Sequence, residues 1–144
     1  MKKSAIMMAA VCCMAVLFTG CGQKLGEEFT EEVNTLEGAV LSIPEESVSA
    51  QGVAYELANN TEQSINYDRG FSIQKEKDGK WYQLEGEAIP VTMELLWVEP
   101  GNTDTGETIW GDAYGKLGKG RYRLVKNVAN EEEGYYLAAE FTIE

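Results

Sequence analysis

Residues 121–144 read RYRLVKNVANEEEGYYLAAEFTIE, and this stretch decides the fold. In residues 135–144 every second residue is apolar, which is the period of a β-strand with one buried face. Residues 121–128 alternate in the same way, although Lys126 interrupts their apolar face near its end. Because the loop between them, residues 129–134, is polar, the two strands are predicted to form an antiparallel hairpin.

The alternation also fixes which residues face one another in this hairpin. Aligning the two apolar faces predicts three cross-strand pairs: Tyr122 with Phe141, Leu124 with Ala139, and Arg123 with Glu140. The first two pairs bring apolar side chains together on the inner face, and the third brings opposite charges together on the outer face. Core and charge patterns therefore agree on one register.

Shorter strands precede the hairpin. Asp78-Gly79 is a strong turn signal between two of them. The six predicted strands are residues 39–43, 53–58, 71–77, 80–85, 91–98 and 107–110. Because turn signals recur between these strands and no amphipathic helical period follows residue 37, the sequence predicts an all-β sandwich of seven or eight antiparallel strands.

Several short motifs occur in an order that resembles a bacterial immunoglobulin-like domain of Gram-positive surface lipoproteins. They are Asn59-Asn60-Thr61, Phe71-Ser72-Ile73-Gln74-Lys75, Asp78-Gly79-Lys80-Trp81-Tyr82, Pro100-Gly101, Gly120-Arg121-Tyr122-Arg123 and Ala139-Glu140-Phe141. The resemblance covers residues 38–144 and implies an immunoglobulin-like β-sandwich. Tyr122 also resembles the tyrosine corner of such sandwiches. The resemblance implies a fold and a location, and no defined activity.

The first 37 residues are interpreted as an export signal and a connection. Lys2 and Lys3 precede an apolar run from Ala5 to Phe18, which is shorter than the roughly 20 residues that span a bilayer. Cys21 follows this run and resembles the modified cysteine of a bacterial lipoprotein. We therefore expect residues 1–20 to be a lipoprotein signal peptide and Cys21 to carry lipid. Residues 21–37 are polar and acidic and are predicted to form a flexible tether.

Composition excludes several kinds of chemistry. The sequence contains no histidine, which removes the commonest general base and the commonest zinc ligand. If Lys2 and Lys3 leave with the signal peptide, 24 acidic residues face the other 10 basic ones, a net charge of −14. Such a surface repels nucleic acid and anionic headgroups. We expect no cofactor, no metal and no nucleic-acid partner.

Motifs that resemble catalytic or ion-binding sequences have a simpler interpretation. Ser72 and Lys75 have the spacing of a serine nucleophile and its lysine, but on a strand they point to opposite faces. Residues 111–117 lack the Ser/Thr of a phosphate-binding loop, and residues 102–107 lack the final glutamate of a calcium loop. Both are interpreted as turns. Residues 131–133, three glutamates, are a solvated loop or part of a cation site completed by another loop. We therefore expect no enzymatic activity.

Five basic residues lie within eleven positions of this acidic chain. They are Lys116, Lys119, Arg121, Arg123 and Lys126. One interpretation is a binding site for an anionic partner, to which the first four would contribute. The other is pairing with outward-facing acidic residues, for example Arg123 with Glu140.

Trp81 presents a similar choice. The turn at Asp78-Gly79 pairs Glu76 with Trp81 and places Trp81 on the face opposite Ile73. An outward Trp81 is available to stack on a sugar or a peptide. A bulge of one residue would instead bury Trp81 in the core.

The sequence therefore predicts a lipid-anchored lipoprotein at the extracytoplasmic face of a bacterial cell membrane. Its domain is expected to be a non-catalytic binding or structural module, with an envelope protein or wall polymer as partner. The alternative is an inhibitor of a protease or cell-wall enzyme that acts through sandwich loops, among them the one at Pro100-Gly101.

Overall fold

The computed structural model describes residues 23–87, 91 and 93–144. The expected signal peptide and Cys21 lie outside the described residues. The fold is all-β, as predicted, and the ten strands of the described residues form two antiparallel sheets. The strands are β1 (Leu25–Glu28), β2 (Ala39–Ser42), β3 (Gly52–Asn59), β4 (Ile65–Tyr67), β5 (Ser72–Lys77), β6 (Lys80–Leu84), β7 (Leu96–Val98), β8 (Thr103–Ile109), β9 (Gly120–Ala129) and β10 (Gly134–Ile143). The short helical turns are Glu45–Ser47 and Gly111–Tyr114.

Strand β9 is the centre of the larger, seven-stranded sheet. It pairs with β10 along one edge, and its other edge is shared by β5 and β4. Strand β6 continues the sheet beside β5, with β1 beyond it, and β7 continues it beside β4. All three predicted hairpin pairs are confirmed, because Tyr122 faces Phe141, Leu124 faces Ala139 and Arg123 faces Glu140.

The smaller sheet has the order β2-β3-β8. Its central strand turns Val53, Tyr55 and Leu57 inward, as its alternating burial shows. Tyr55 lies opposite Gly106 of β8. A Cβ atom at position 106 would collide with the Tyr55 ring and hydroxyl, so the tyrosine occupies space that only glycine leaves open.

The core lies between the two sheets. Trp110 is fully buried, and its ring stacks on Phe141 at a centroid distance of 5.6 Å. Tyr122 stacks on the same Phe141 ring at 5.7 Å. The Tyr122 hydroxyl donates to the carbonyl of Gly118 at 2.9 Å, which confirms a tyrosine bonded to the backbone upstream. These rings join the inner faces of the two sheets.

The N-terminal segment, residues 23–37, is not the flexible tether that its composition predicts. Leu25–Glu28 forms β1, which pairs with β6 at the edge of the larger sheet. Phe29 then packs edge-to-face on Tyr136, with ring centroids 5.2 Å apart. Asn34 reaches the open edge of β10 and exchanges side-chain hydrogen bonds with the Ala138 backbone at 2.9 and 3.2 Å. The segment therefore crosses the outer face of the sheet, with most of its glutamates facing solvent.

Two predicted elements near the middle of the chain need correction. Of the strand expected over residues 91–98, the described residues form a strand at Leu96–Val98 alone. Residues 102–107, expected to form a polar turn, instead fall mostly in β8, which runs from Thr103 to Ile109. Strand β8 is an edge strand with one solvated face, so polar side chains are tolerated there. Strand β4, three residues long, has no counterpart among the predicted strands.

Candidate functional site

The structure brings Trp81, Arg121 and Arg123 together on the outer face of the larger sheet. Arg123 lies between two aromatic rings, with its guanidinium carbon 4.5 Å from the Trp81 ring centroid and 5.4 Å from that of Phe29. Its Nε donates to Gln74 Oε1 at 2.6 Å. Burial lowers the pKa of Arg123, against an opposing effect of Glu140. With 7% of its surface exposed, Arg123 holds the N-terminal segment to the sheet and offers little to a ligand.

Arg121 makes the ion pair with Glu140 that the sequence suggested for its neighbour Arg123, and a second one with Glu76. Its guanidinium donates to Glu140 at 2.6 Å and to Glu76 at 3.1 Å. The hydrogen bond to Glu140 raises the pKa of Arg121. The expected ion pair between Arg123 and Glu140 is therefore wrong, because the Arg123 side chain turns into the aromatic layer and leaves Glu140 to Arg121.

Trp81 lies on the outer face, and the pairing of Glu76 with Trp81 is as predicted. A bulge that would bury Trp81 in the core does not occur. The ring is half-buried under the two arginines, since Arg121 also lies 5.7 Å from its centroid. Trp81 is therefore outward, as the turn predicts, but its ring is covered by its own chain and is not free to stack on a ligand.

The remaining basic residues of the cluster lie apart. Lys116 and Lys119 are exposed in the loop before β9. The backbone carbonyl of Lys116 accepts a hydrogen bond from the Gln23 side chain at 3.0 Å, so this loop adjoins the start of the described chain. Lys126 is 1% exposed and points into the core. The five residues therefore occupy three environments, and they do not form one continuous patch.

Lys126 belongs to a buried polar group between the sheets. Its ammonium lies 4.7 Å from the Tyr55 ring centroid and 5.3 Å from that of Tyr67, and it donates to the Gly70 carbonyl at 3.2 Å. Burial lowers the pKa of Lys126 to about 8. The Tyr67 hydroxyl donates to Asp104, and burial together with this bond raises the pKa of Tyr67.

A groove that the sequence did not reveal lies on the same outer face, beyond the N-terminal segment. We call it the outer groove. One row of paired residues crosses it, Gly134, Ala129 and Asn66, and Trp97 of β7 continues this row beside the groove. A second pair, Tyr136 and Asn127, lies beside the first row. The groove has a volume of about 360 Å³, and Asp68 and Leu95 also line it.

The two sides of the outer groove differ from its floor. Leu95, which is 57% exposed, forms an apolar side of the groove, and Trp97, which is 58% exposed, lies just beyond the lining, paired with Asn66. Tyr136 forms the other side and is held by its contact with Phe29. Gly134 and Ala129 have small side chains, and they leave the floor of the groove low. Sequence reasoning missed this surface because β4 and β7 are three residues long and show no period. The one signal of this surface in the sequence was the tryptophan at position 97.

Comparisons with known proteins identify the domain. No curated protein matches the sequence. The ASH / PapD-like domain of human CEP192 (PapD-like domain 7) is similar at 12% identity and a TM-score of 0.29, over 85% of this chain and 96% of that one. None of the helices in the described part of the chain is long and apolar enough to cross a membrane. A family model described as a bacterial Ig-like domain matches residues 35–142, and the chain therefore belongs to that family.

Proposed function

We propose that this protein is a non-catalytic binding module anchored by lipid on Cys21 at the extracytoplasmic face of a bacterial cell membrane. The signal-like residues 1–20 and the cysteine that follows them support the anchor. Membership of the bacterial Ig-like family supports a binding or structural role, since such domains are generally non-catalytic. Its partner in the envelope would be a protein or a wall polymer.

One observation carries this proposal: contacts with the sandwich begin almost directly after Cys21. The Gln23 side chain donates to the carbonyl of Tyr114 at 2.7 Å, and the backbone of Glu85 donates to that of Lys24 at 2.9 Å. Cleavage before Cys21 would remove none of the described strands. The chain from Cys21 to Gln23 spans about 10 Å at most, so an anchored domain would stay close to the bilayer.

The alternative role as an inhibitor has less support. An inhibitory loop has to project from the sandwich into a partner's cleft. Pro100-Gly101 instead lies in a tight turn, where the Gly101 amide donates to the Asn59 carbonyl at 2.7 Å and the Asn102 amide to the Glu99 carbonyl at 3.0 Å. A turn held so close to the sheet is poorly shaped for insertion.

The anchor is tested by changing Cys21→Ser in the full chain. We expect this variant to lose lipid labelling and to leave the detergent phase in a Triton X-114 partition, because the modified thiol is gone. Cys13→Ser is the matched control, since Cys13 lies in the expected signal peptide, and it should partition as the wild type does. A Cys21→Ser protein that is still lipid-labelled would show that the anchor is elsewhere.

A further inference from the structure

We propose that the outer groove binds a neutral glycan, an extended oligosaccharide of β-1,4-linked pyranose rings. This inference rests on the proposed function as a binding module and names its ligand class. None of the basic cluster lines this surface, and the evidence for the proposal is the shape of the groove, its polar groups and its charge.

The shape of the groove suits a flat, extended ligand. Four neighbouring strands contribute one residue each to the row from Gly134 to Trp97, so the row is about 14 Å wide at the usual strand spacing. The row is low toward β10 because Gly134 and Ala129, which are small, stand there. Aromatic rings lie toward both ends of the row, Tyr136 in the lining at β10 and Trp97 beside the groove at β7. A ribbon of sugar rings fits such a surface by laying its apolar faces against the aromatic rings.

The polar groups of the groove suit hydroxyl groups. Asn66 and Asn127 each carry two donors and one acceptor, and in the described part of the chain neither side chain makes a hydrogen bond with another residue. Asp68 adds a carboxylate, one oxygen of which accepts from the Gly70 amide at 2.7 Å. Hydroxyls both donate and accept, so a sugar can satisfy amides and carboxylate together.

The charge of the groove disfavours a polyanionic partner, and the salt dependence of binding distinguishes a neutral glycan from a basic peptide. Asp68 is the one charged residue among those that line the groove, and the whole chain is strongly acidic. A polyanion is therefore repelled. Nearby Arg69 approaches Glu94 at 3.8 Å, which reduces its attraction for anions. A basic peptide would be attracted by charge alone, and its binding would fall steeply with salt, whereas binding of a neutral sugar would change little.

The test uses the full-length protein purified in detergent and N-acetylglucosamine tetramer as the probe, with affinity measured by titration calorimetry. We expect saturable binding that is similar at low and high salt. Trp97→Ala should weaken it at least tenfold, and Asn66→Ala at least threefold. Ile109→Ala is the matched control, because Ile109 is 67% exposed on the other sheet, and it should leave the affinity unchanged.

Three results would overturn the proposal. The first is no saturable binding of the tetramer, and the second is binding that both groove variants retain. The third is salt-sensitive binding of a lysine-rich peptide in the absence of tetramer binding. Thermal unfolding of each variant checks that the sandwich is intact. A negative result in the glycan-binding test would not change the expected partition of the Cys21→Ser variant, so the two proposals are tested independently.

Discussion

Lys126 is the residue whose environment departs most from its usual one. A lysine at a core position has to lose its water, and this cost lowers its pKa to about 8, although Asp68 opposes the shift and Arg69 adds to it. The rings of Tyr55 and Tyr67 and one carbonyl compensate in part. Lys126, which interrupts the apolar face of the strand in the sequence, is thus a buried cation between the two sheets.

This environment makes stability depend on pH. Between about pH 8 and the ordinary value of 10.5, unfolded Lys126 holds a proton that the folded chain has released, so stability rises with pH. Above about pH 10 the raised pKa of Tyr67 reverses the trend, since the unfolded tyrosine then loses its proton first. We expect a gain of about 1 kcal/mol from pH 8 to 9 in urea unfolding, because the raised pKa values of Tyr67, Tyr114 and Tyr122 oppose a further gain nearer pH 10. Lys126→Met should abolish this gain, and exposed Lys80→Met should retain it. A gain preserved in Lys126→Met would assign it to another group.

Tyr122 gives a second prediction at the scale of one residue. Its ring is fully buried against Phe141, and its hydroxyl satisfies the Gly118 carbonyl. Tyr122→Ala should destabilise the domain by about 3–5 kcal/mol through loss of packing. Tyr122→Phe keeps the ring and removes one hydrogen bond, so it should cost about 1 kcal/mol. Urea unfolding measures both, and equal costs would mean that the ring contributes little.

Among the elements, the N-terminal segment shows how an unpatterned stretch becomes ordered. Its contacts come from single residues, Leu25, Phe29 and Asn34, spaced without a regular period. Asn34 imitates a strand, because its side-chain amide both donates to and accepts from the Ala138 backbone. It thereby covers part of the exposed edge of β10, which would otherwise be open to pairing with another chain.

Phe29 is the residue on which this segment depends. Phe29→Ala should destabilise the domain by about 1–3 kcal/mol, since it removes one ring from Arg123 and the ring contact with Tyr136. It should also increase the rate of hydrogen exchange at two backbone amides. The Asn34 amide donates to the Tyr136 carbonyl, and the Ala138 amide donates to the Asn34 side chain. Glu31→Ala, at an exposed position in the same segment, is the control and should change neither quantity. Unchanged exchange in Phe29→Ala would mean that the segment is held elsewhere.

The strands also show which features of the fold could be predicted from the sequence and which could not. The register of the β9–β10 hairpin was predicted to the residue because alternation and charge are local patterns. The first part of β8 was mistaken for a turn because its inward residues, Asp104 and Gly106, are polar or small, and they suit the contacts with Tyr67 and Tyr55. The end of β8 was predicted as a strand. The outer groove depends on which strands β4 and β7 adjoin, which is a property of the tertiary fold. The sequence left Trp81 either on the outer face or, through a bulge, in the core; the structure has it on the outer face, and the arginines that cover it were not foreseen.

At the scale of the whole molecule, the two ends of the sandwich differ in their distance from the proposed anchor. Gln23 is bonded at the loop that contains Tyr114 and Lys116. Strand β8 begins at the opposite end, after the turn at Gly101, and its seven residues span about 20 Å. If Cys21 is in the membrane, the end with Lys116 is therefore held near the bilayer, and the turn at Gly101 faces away from it.

This difference can be measured with energy transfer to acceptor lipids. Lipidation consumes Cys21, so a new cysteine at an exposed position is the one reactive thiol of the processed chain. A donor dye on Lys116→Cys should transfer strongly to acceptors in vesicles, and a dye on Asn102→Cys should transfer much less, because the length of β8 separates the two positions. Inserting eight Gly/Ser residues after Gly22 should reduce transfer from position 116 if the Gln23 contact persists, because the longer connection lets the whole domain leave the surface. Equal transfer from both positions in the original chain would mean that the contacts of Gln23 do not orient the domain, and that the anchored sandwich turns freely above the membrane.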